Sequence, residues 1–134
     1  LPWSTTQSDE VDISLQADSL TPAKAVFIVP IDFTSFRWYS KRSLYVDYKA
    51  LFHQEQFLKE WYQRIENIYA YGLKEKQSGF DIHVFSTSLL EEPTLISTDY
   101  WRKLGITHIL STSPDIKTLN KVYSNETYTI YSLW

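Results

Sequence analysis

Residues 25–30 read AVFIVP, an unbroken apolar run that follows Pro22 and closes on Pro30. A strand with one wet face alternates apolar and polar residues, because successive side chains point to opposite sides. A run without alternation suits a strand covered on both faces, the kind found in parallel sheets with helices over them. The expected fold class is therefore α/β: a three-layer sandwich with a mostly parallel sheet and a C-terminal β-hairpin edge.

The flanking segments fit that plan. Residues 9–20 place Val11, Ile13, Leu15 and Leu20 at loosely helical spacing, and Thr21-Pro22 ends the helix, since the residue before proline is pushed out of the α region. Residues 33–41 read as a short helix with Phe33 and Phe36 inward. Residues 43–50 (SLYVDYKA) read as a second strand, with Leu44, Val46 and Tyr48 on one face and Tyr45, Asp47 and Lys49 on the other. Residues 54–70 carry the clearest helix, with Phe57, Leu58, Trp61, Tyr62, Ile65, Ile68 and Tyr69 on one side. A third strand is expected at 80–85, a short helix at 97–104 ending on Gly105, and a fourth strand at 107–112. Residues 121–132 read as two strands around Ser124-Asn125-Glu126. Residues 1–8 read as a linker or expression remnant, and 9–134 as one domain, long enough to bury a core without staples.

Several functions are excluded or disfavoured. The chain has no Cys, which removes thiol catalysis, Cys-based zinc sites and disulfides. Its three glycines, Gly72, Gly79 and Gly105, cannot build a phosphate-cradling loop, so nucleotide binding is not expected despite the α/β pattern. No Gly-x-Ser-x-Gly elbow occurs. His53, His83 and His108 lack metal-ligand spacing and read as surface or packing histidines, so neither metal nor cofactor is expected. A net charge of −3 argues against nucleic acid as a partner. No apolar run reaches the roughly 20 residues of a spanning helix. With no Met and an opening Leu1-Pro2-Trp3, the chain is expected to be a piece of a longer protein.

One polar constellation stands out. Ligands of open α/β sheets bind beyond the carboxyl ends of the strands. The first strand runs out at Asp32 and the second at Asp47 and Lys49, while Arg37 lies on the helix between and Arg42 at the start of the second strand. If the two strands are neighbours, these five residues form a candidate binding site for a sugar, phosphate or carboxylate. Arg37 would offer a planar fork to an anion. Asp32 and Asp47 could accept hydroxyl hydrogens, or act as paired carboxylates in a small stand-alone enzyme for a sugar or phosphate ester. The same residues also fit a purely structural network, with Asp47 paired to Arg37 or Arg42 and holding helix to strand. Trp38-Tyr39, Trp61-Tyr62 and Tyr100-Trp101 could stack on sugar rings, although Trp61-Tyr62 suits helix packing better. Asn125-Glu126-Thr127 matches the N-glycosylation triplet in an expected, accessible turn.

A resemblance rests on particular stretches: TPAKAVFIVP at 21–30, then Phe36-Arg37, Ser40, Arg42, VDYK at 46–49 and WYQR at 61–64, with LGITHIL at 104–110 and VYSNETYTIY at 122–131 as a closing pattern. These resemble the soluble C-terminal domains of polytopic bacterial membrane proteins of the lipid-linked-sugar glycosyltransferase type. The resemblance implies a non-catalytic accessory domain on the extracytoplasmic side of a bacterial membrane. Its partners would be the transmembrane part of the parent chain and a glycan or lipid-linked sugar. A protein-interaction module remains open beside it.

Overall fold

The structure, a computed structural model, describes residues 5–30, 33–45, 63–64, 90, 93 and 95–134. The first helix, α1 (Thr5–Leu20), begins inside the segment read as a linker and stops where Thr21-Pro22 requires it. It leads into β1 (Val26–Ile28), the heart of the apolar run, then α2 (Phe36–Ser40) and β2 (Ser43–Leu44). The later elements are α3 (Leu95–Lys103), β3 (His108–Ser111), β4 (Asn120–Ser124) and β5 (Thr129–Ser132). Gln63 and Arg64 are helical, within the helix expected over 54–70; the rest of that helix and the strand expected at 80–85 lie outside the described residues.

The strands form one sheet in the order β2-β1-β3-β5-β4. β1 pairs in parallel with both β2 and β3, with Val26 opposite Ser43 and Phe27 opposite His108. β5 pairs antiparallel with both β3 and β4. Among the described residues the sheet is therefore mixed, not mostly parallel. The cause is the C-terminal hairpin. A tight turn can only return the chain antiparallel, and its second strand inserts between β3 and β4, not outside them. β4 forms the edge, as expected of the hairpin.

Alternation along the strands divides the core. Ile28, Ile109 and Tyr131 join Trp101, Ile106, Ile116 and Leu133 in one cluster. Phe27, Val29, Leu110 and Ile130 join Ile13 and Ala17 of α1 and Phe33 and Phe36 in the other. Neighbouring strand residues fall in opposite clusters, so the two clusters occupy the two faces of the sheet. That explains why AVFIVP needed no alternation: both faces of β1 are covered.

α3 ends in a Schellman motif. Gly105 N–H donates to Arg102 O (3.0 Å) and Ile106 N–H to Trp101 O (3.1 Å), with Gly105 at φ +90°. Ile106 and Trp101 share the same core cluster, which adds the hydrophobic contact typical of this cap. A Cβ at Gly105 would meet nothing within 4 Å, so only the backbone opposes a side chain there. Gly105→Ala should lower stability by about 1–2 kcal/mol in chemical denaturation; an unchanged midpoint would show the cap to be unimportant.

Candidate functional site

Of the five predicted site residues, the structure describes Arg37 and Arg42; Asp32, Asp47 and Lys49 lie outside the described residues. The premise of the constellation holds, because β1 and β2 are parallel neighbours.

Arg42 is buried at 7 % exposure and faces inward, towards the end of α1. Its Nε donates to Thr21 Oγ1 (3.1 Å). One terminal nitrogen donates to Asp18 Oδ1 (2.9 Å) and Ser40 O (3.3 Å). The other donates to Asp18 O (2.6 Å) and Thr21 O (2.8 Å). A guanidinium has five N–H donors, and all five are engaged. The arrangement is a C-terminal cap delivered from outside the helix. α1 has no basic residue in its last turn, and Arg42 supplies the cation and the donors that its closing carbonyls lack. Arg42 thus pairs with Asp18 and has no donor left for a ligand; Asp47, which the sequence offered as a partner of Arg37 or Arg42, lies outside the described residues.

Residues 8–68 match the model of a family described as a domain of unknown function (DUF6798). That span holds α1 from Ser8 onward, β1, α2, β2 and every partner of Arg42; β3, β4 and β5, which complete the sheet, lie beyond it. The description names no activity. No curated protein and no solved structure matches the chain.

Arg37 sits on the other side of α2. Phe36 and Ser40, four residues apart, are buried, which turns Arg37 and Trp38 outward; Trp38 is 80 % exposed. Trp38 is therefore placed to contact a ligand or a surface. Trp101 is not: it is fully buried in the core, so the Tyr100-Trp101 pair is no sugar platform. Trp61 and Tyr62 lie outside the described residues.

A second polar cluster escaped the sequence reading. Asn125 opens the β4–β5 turn and its Oδ1 accepts from Thr127 N–H (3.0 Å) and Tyr128 N–H (2.8 Å). Its Nδ2 donates to Asp9 O (3.0 Å) and Asp12 Oδ2 (3.1 Å) on α1. Around it, Thr127 Oγ1 donates to Asp9, Tyr123 OH to Asp12 (2.8 Å) and Tyr128 OH to Glu10 (3.3 Å). The bond to Asp12 raises the Tyr123 pKa above its ordinary value, and burial and the charges of Asp12 and Asp9 push the same way. The N-glycosylation triplet does fall in a turn, but its acceptor amide is half-buried and already used, not accessible. A hint was present: Asn at the start of a tight turn commonly bonds the backbone two residues on.

His108 reads as packing, as its isolation in sequence suggested. It stacks on Phe27 (5.0 Å between ring centres, 18°) with Nδ1 2.7 Å from Thr107 Oγ1. Burial lowers its pKa below the ordinary 6.5. The folded state thus binds the proton less readily than the unfolded chain. His108 should therefore cost no stability above about pH 6.5, and stability should fall as pH drops from there through the depressed folded value. Urea midpoints between pH 7.5 and 5 should show that fall, and His108→Gln should flatten it; an equal slope in the variant would assign the effect elsewhere. Among the described residues no group of three or more His, Asp or Glu side chains is placed to hold a metal ion.

Proposed function

We propose that this chain is a non-catalytic accessory domain, held on the extracytoplasmic side of a bacterial membrane by parts of the parent protein, and that it contacts a glycan or a partner loop through Arg37, Asp47 and Lys49. The observation that carries the reading is the division of labour at α2. Arg42 turns inward and is saturated, while Arg37 and Trp38 turn outward side by side. Arg and Trp are the residue types that most often anchor recognition surfaces, Arg through its planar fork and Trp through its broad amphipathic ring. The carboxylates of Asp9 and Asp12 bond hairpin donors and His108 packs on Phe27, so the reading does not draw on them. The reading takes the domain as a three-layer sandwich, with α1 and α2 over one face of the sheet and α3 over the other; the two core clusters support that layering. No helix among the described residues is long and apolar enough to cross a membrane.

Two measurements test the reading. The full-length gene should encode several apolar spans outside this segment; a gene without them sinks the accessory-domain idea. A glycan array or ligand-shift screen should lose its signals in Arg37→Ala while Arg37→Lys keeps part of them. Identical profiles for wild type and Arg37→Ala would remove Arg37 from the site.

A further inference from the structure

Register decides which residues share an end of the sheet. β1 and β2 start in step, Val26 opposite Ser43, and β3 starts at His108 opposite Phe27. β5 runs the other way and ends with Ser132 opposite His108. The residues just before β1, β2 and β3, and just after β5, therefore line one end. Lys24 and Lys41 each precede their strand by two residues, and Lys103 closes α3 just before the turn into β3; all three are exposed. Lys117, also exposed, lies in the turn that leads to Asn120 opposite Ser132.

Large apolar side chains are exposed at the same end. Leu20 closes α1 and is 50 % exposed, and Trp134 follows β5 at 70 %. Among the described residues, the carboxylates of Asp18 and Asp99, on the elements that reach this end, are ion-paired with Arg42 and Arg102, and the four lysines outnumber the exposed Asp115 that shares the turn of Lys117. The other end is acidic: Asp9, Glu10 and Asp12 bond the hairpin turn that also carries Glu126. Among the described residues, lysines thus gather at one end and carboxylates at the other.

We propose that the lysine-tryptophan end of the sheet rests on an anionic phospholipid bilayer. Lysines near such a surface are drawn by its negative potential, and exposed Trp settles at headgroup depth, where its ring is half in apolar surroundings and its N–H stays hydrated. Leu20 adds apolar area that only an apolar partner rewards. The acidic far end is repelled, so the same field that attracts the domain also orients it. This deepens the accessory-domain reading by giving that domain an orientation, and rests on it for the domain's place in the full protein; lipid binding itself is a property of this chain alone.

Flotation of the 134-residue chain with vesicles tests the proposal. Vesicles of phosphatidylglycerol and phosphatidylcholine should carry the protein at low salt and release it at high salt, while pure phosphatidylcholine should not carry it. The double change Lys24→Gln, Lys41→Gln should weaken binding about tenfold or more. Trp134→Ala should weaken it without changing the salt slope, and Glu126→Gln at the far end should not weaken it. Circular dichroism melts show that each variant is folded, and Lys103→Gln serves if the double variant is not. No vesicle binding at low salt, equal binding to both lipids, insensitivity to the lysine changes, or tighter binding to single-stranded DNA than to vesicles would each overturn the proposal. Failure here leaves the accessory-domain reading standing, whereas a gene without spans overturns that reading and not this one.

Discussion

Arg42→Ala should lower the unfolding free energy by about 3–5 kcal/mol, read from urea denaturation with unchanged m-value. The size follows from what the change leaves behind. The carbonyls of Asp18, Thr21 and Ser40 lose their donors in a site where Arg42 is 7 % exposed. Water cannot replace five directed bonds in so closed a space, and each orphaned buried acceptor costs about 1–3 kcal/mol. The ion pair itself contributes little, because the Asp18 side chain is 37 % exposed and solvent screens it. Asp18→Asn should therefore cost below about 1 kcal/mol, since an amide oxygen still accepts from the guanidinium. Arg42→Lys should recover less than half of the loss, because an ammonium is a point charge with three donors and cannot reach five acceptors spread over a plane. A loss under about 1 kcal/mol in Arg42→Ala would show that the cap is not what holds α1 to the sheet.

The sequence made some of this legible and not the rest, and the division is physical. β1 was readable because burial on both faces removes alternation, and a proline stop is local. Both signals lie within a few residues of the feature they announce. Arg42 was readable as a charge at a strand start, but its partners are not local. Asp18 lies 24 residues away, and only the parallel register of β1 and β2 brings the residue before Ser43 to the end of α1. The strand order was hidden for the same reason: nothing in residues 121–132 says that β5 will insert beside β3. Tyr100 and Trp101 show the limit of neighbour chemistry. Adjacent helix positions point about 100° apart, so one of the pair is partly exposed and the other is core. For the candidate site, β1–β2 adjacency agrees with expectation, while Arg42 has a structural occupation that its residue type alone could not reveal.

Asn125→Ala should cost about 2–3 kcal/mol, the second large effect expected of a single change, because the side chain makes four bonds and two of them join the hairpin to α1. Asn125→Gln should not restore it, since the longer side chain cannot close the turn on Thr127 and Tyr128 while reaching Asp12. Asn125→Asp separates the two halves of the role. The new carboxylate still accepts from the two backbone N–H groups, but it faces the Asp12 carboxylate and the Asp9 carbonyl where an amide donated before. Two carboxylates so close cannot both ionise cheaply, so one folded-state pKa rises above its unfolded value of about 4. A raised pKa stabilises fully only below the unfolded value and loses that contribution as pH rises through the folded one. The Asn125→Asp penalty should therefore be largest near pH 7 and shrink towards pH 4, while the Asn125→Ala penalty stays nearly level. Parallel pH dependences for the two variants would refute the contact with Asp12. The same geometry bears on modification. A glycan on Nδ2 must displace the bonds to Asp9 and Asp12, so chain that folds before it meets a glycosylating enzyme should carry none. Intact mass measurement after passage through such a pathway reads this directly, and full occupancy with unchanged stability would mean that the hairpin–helix contact is not formed in solution.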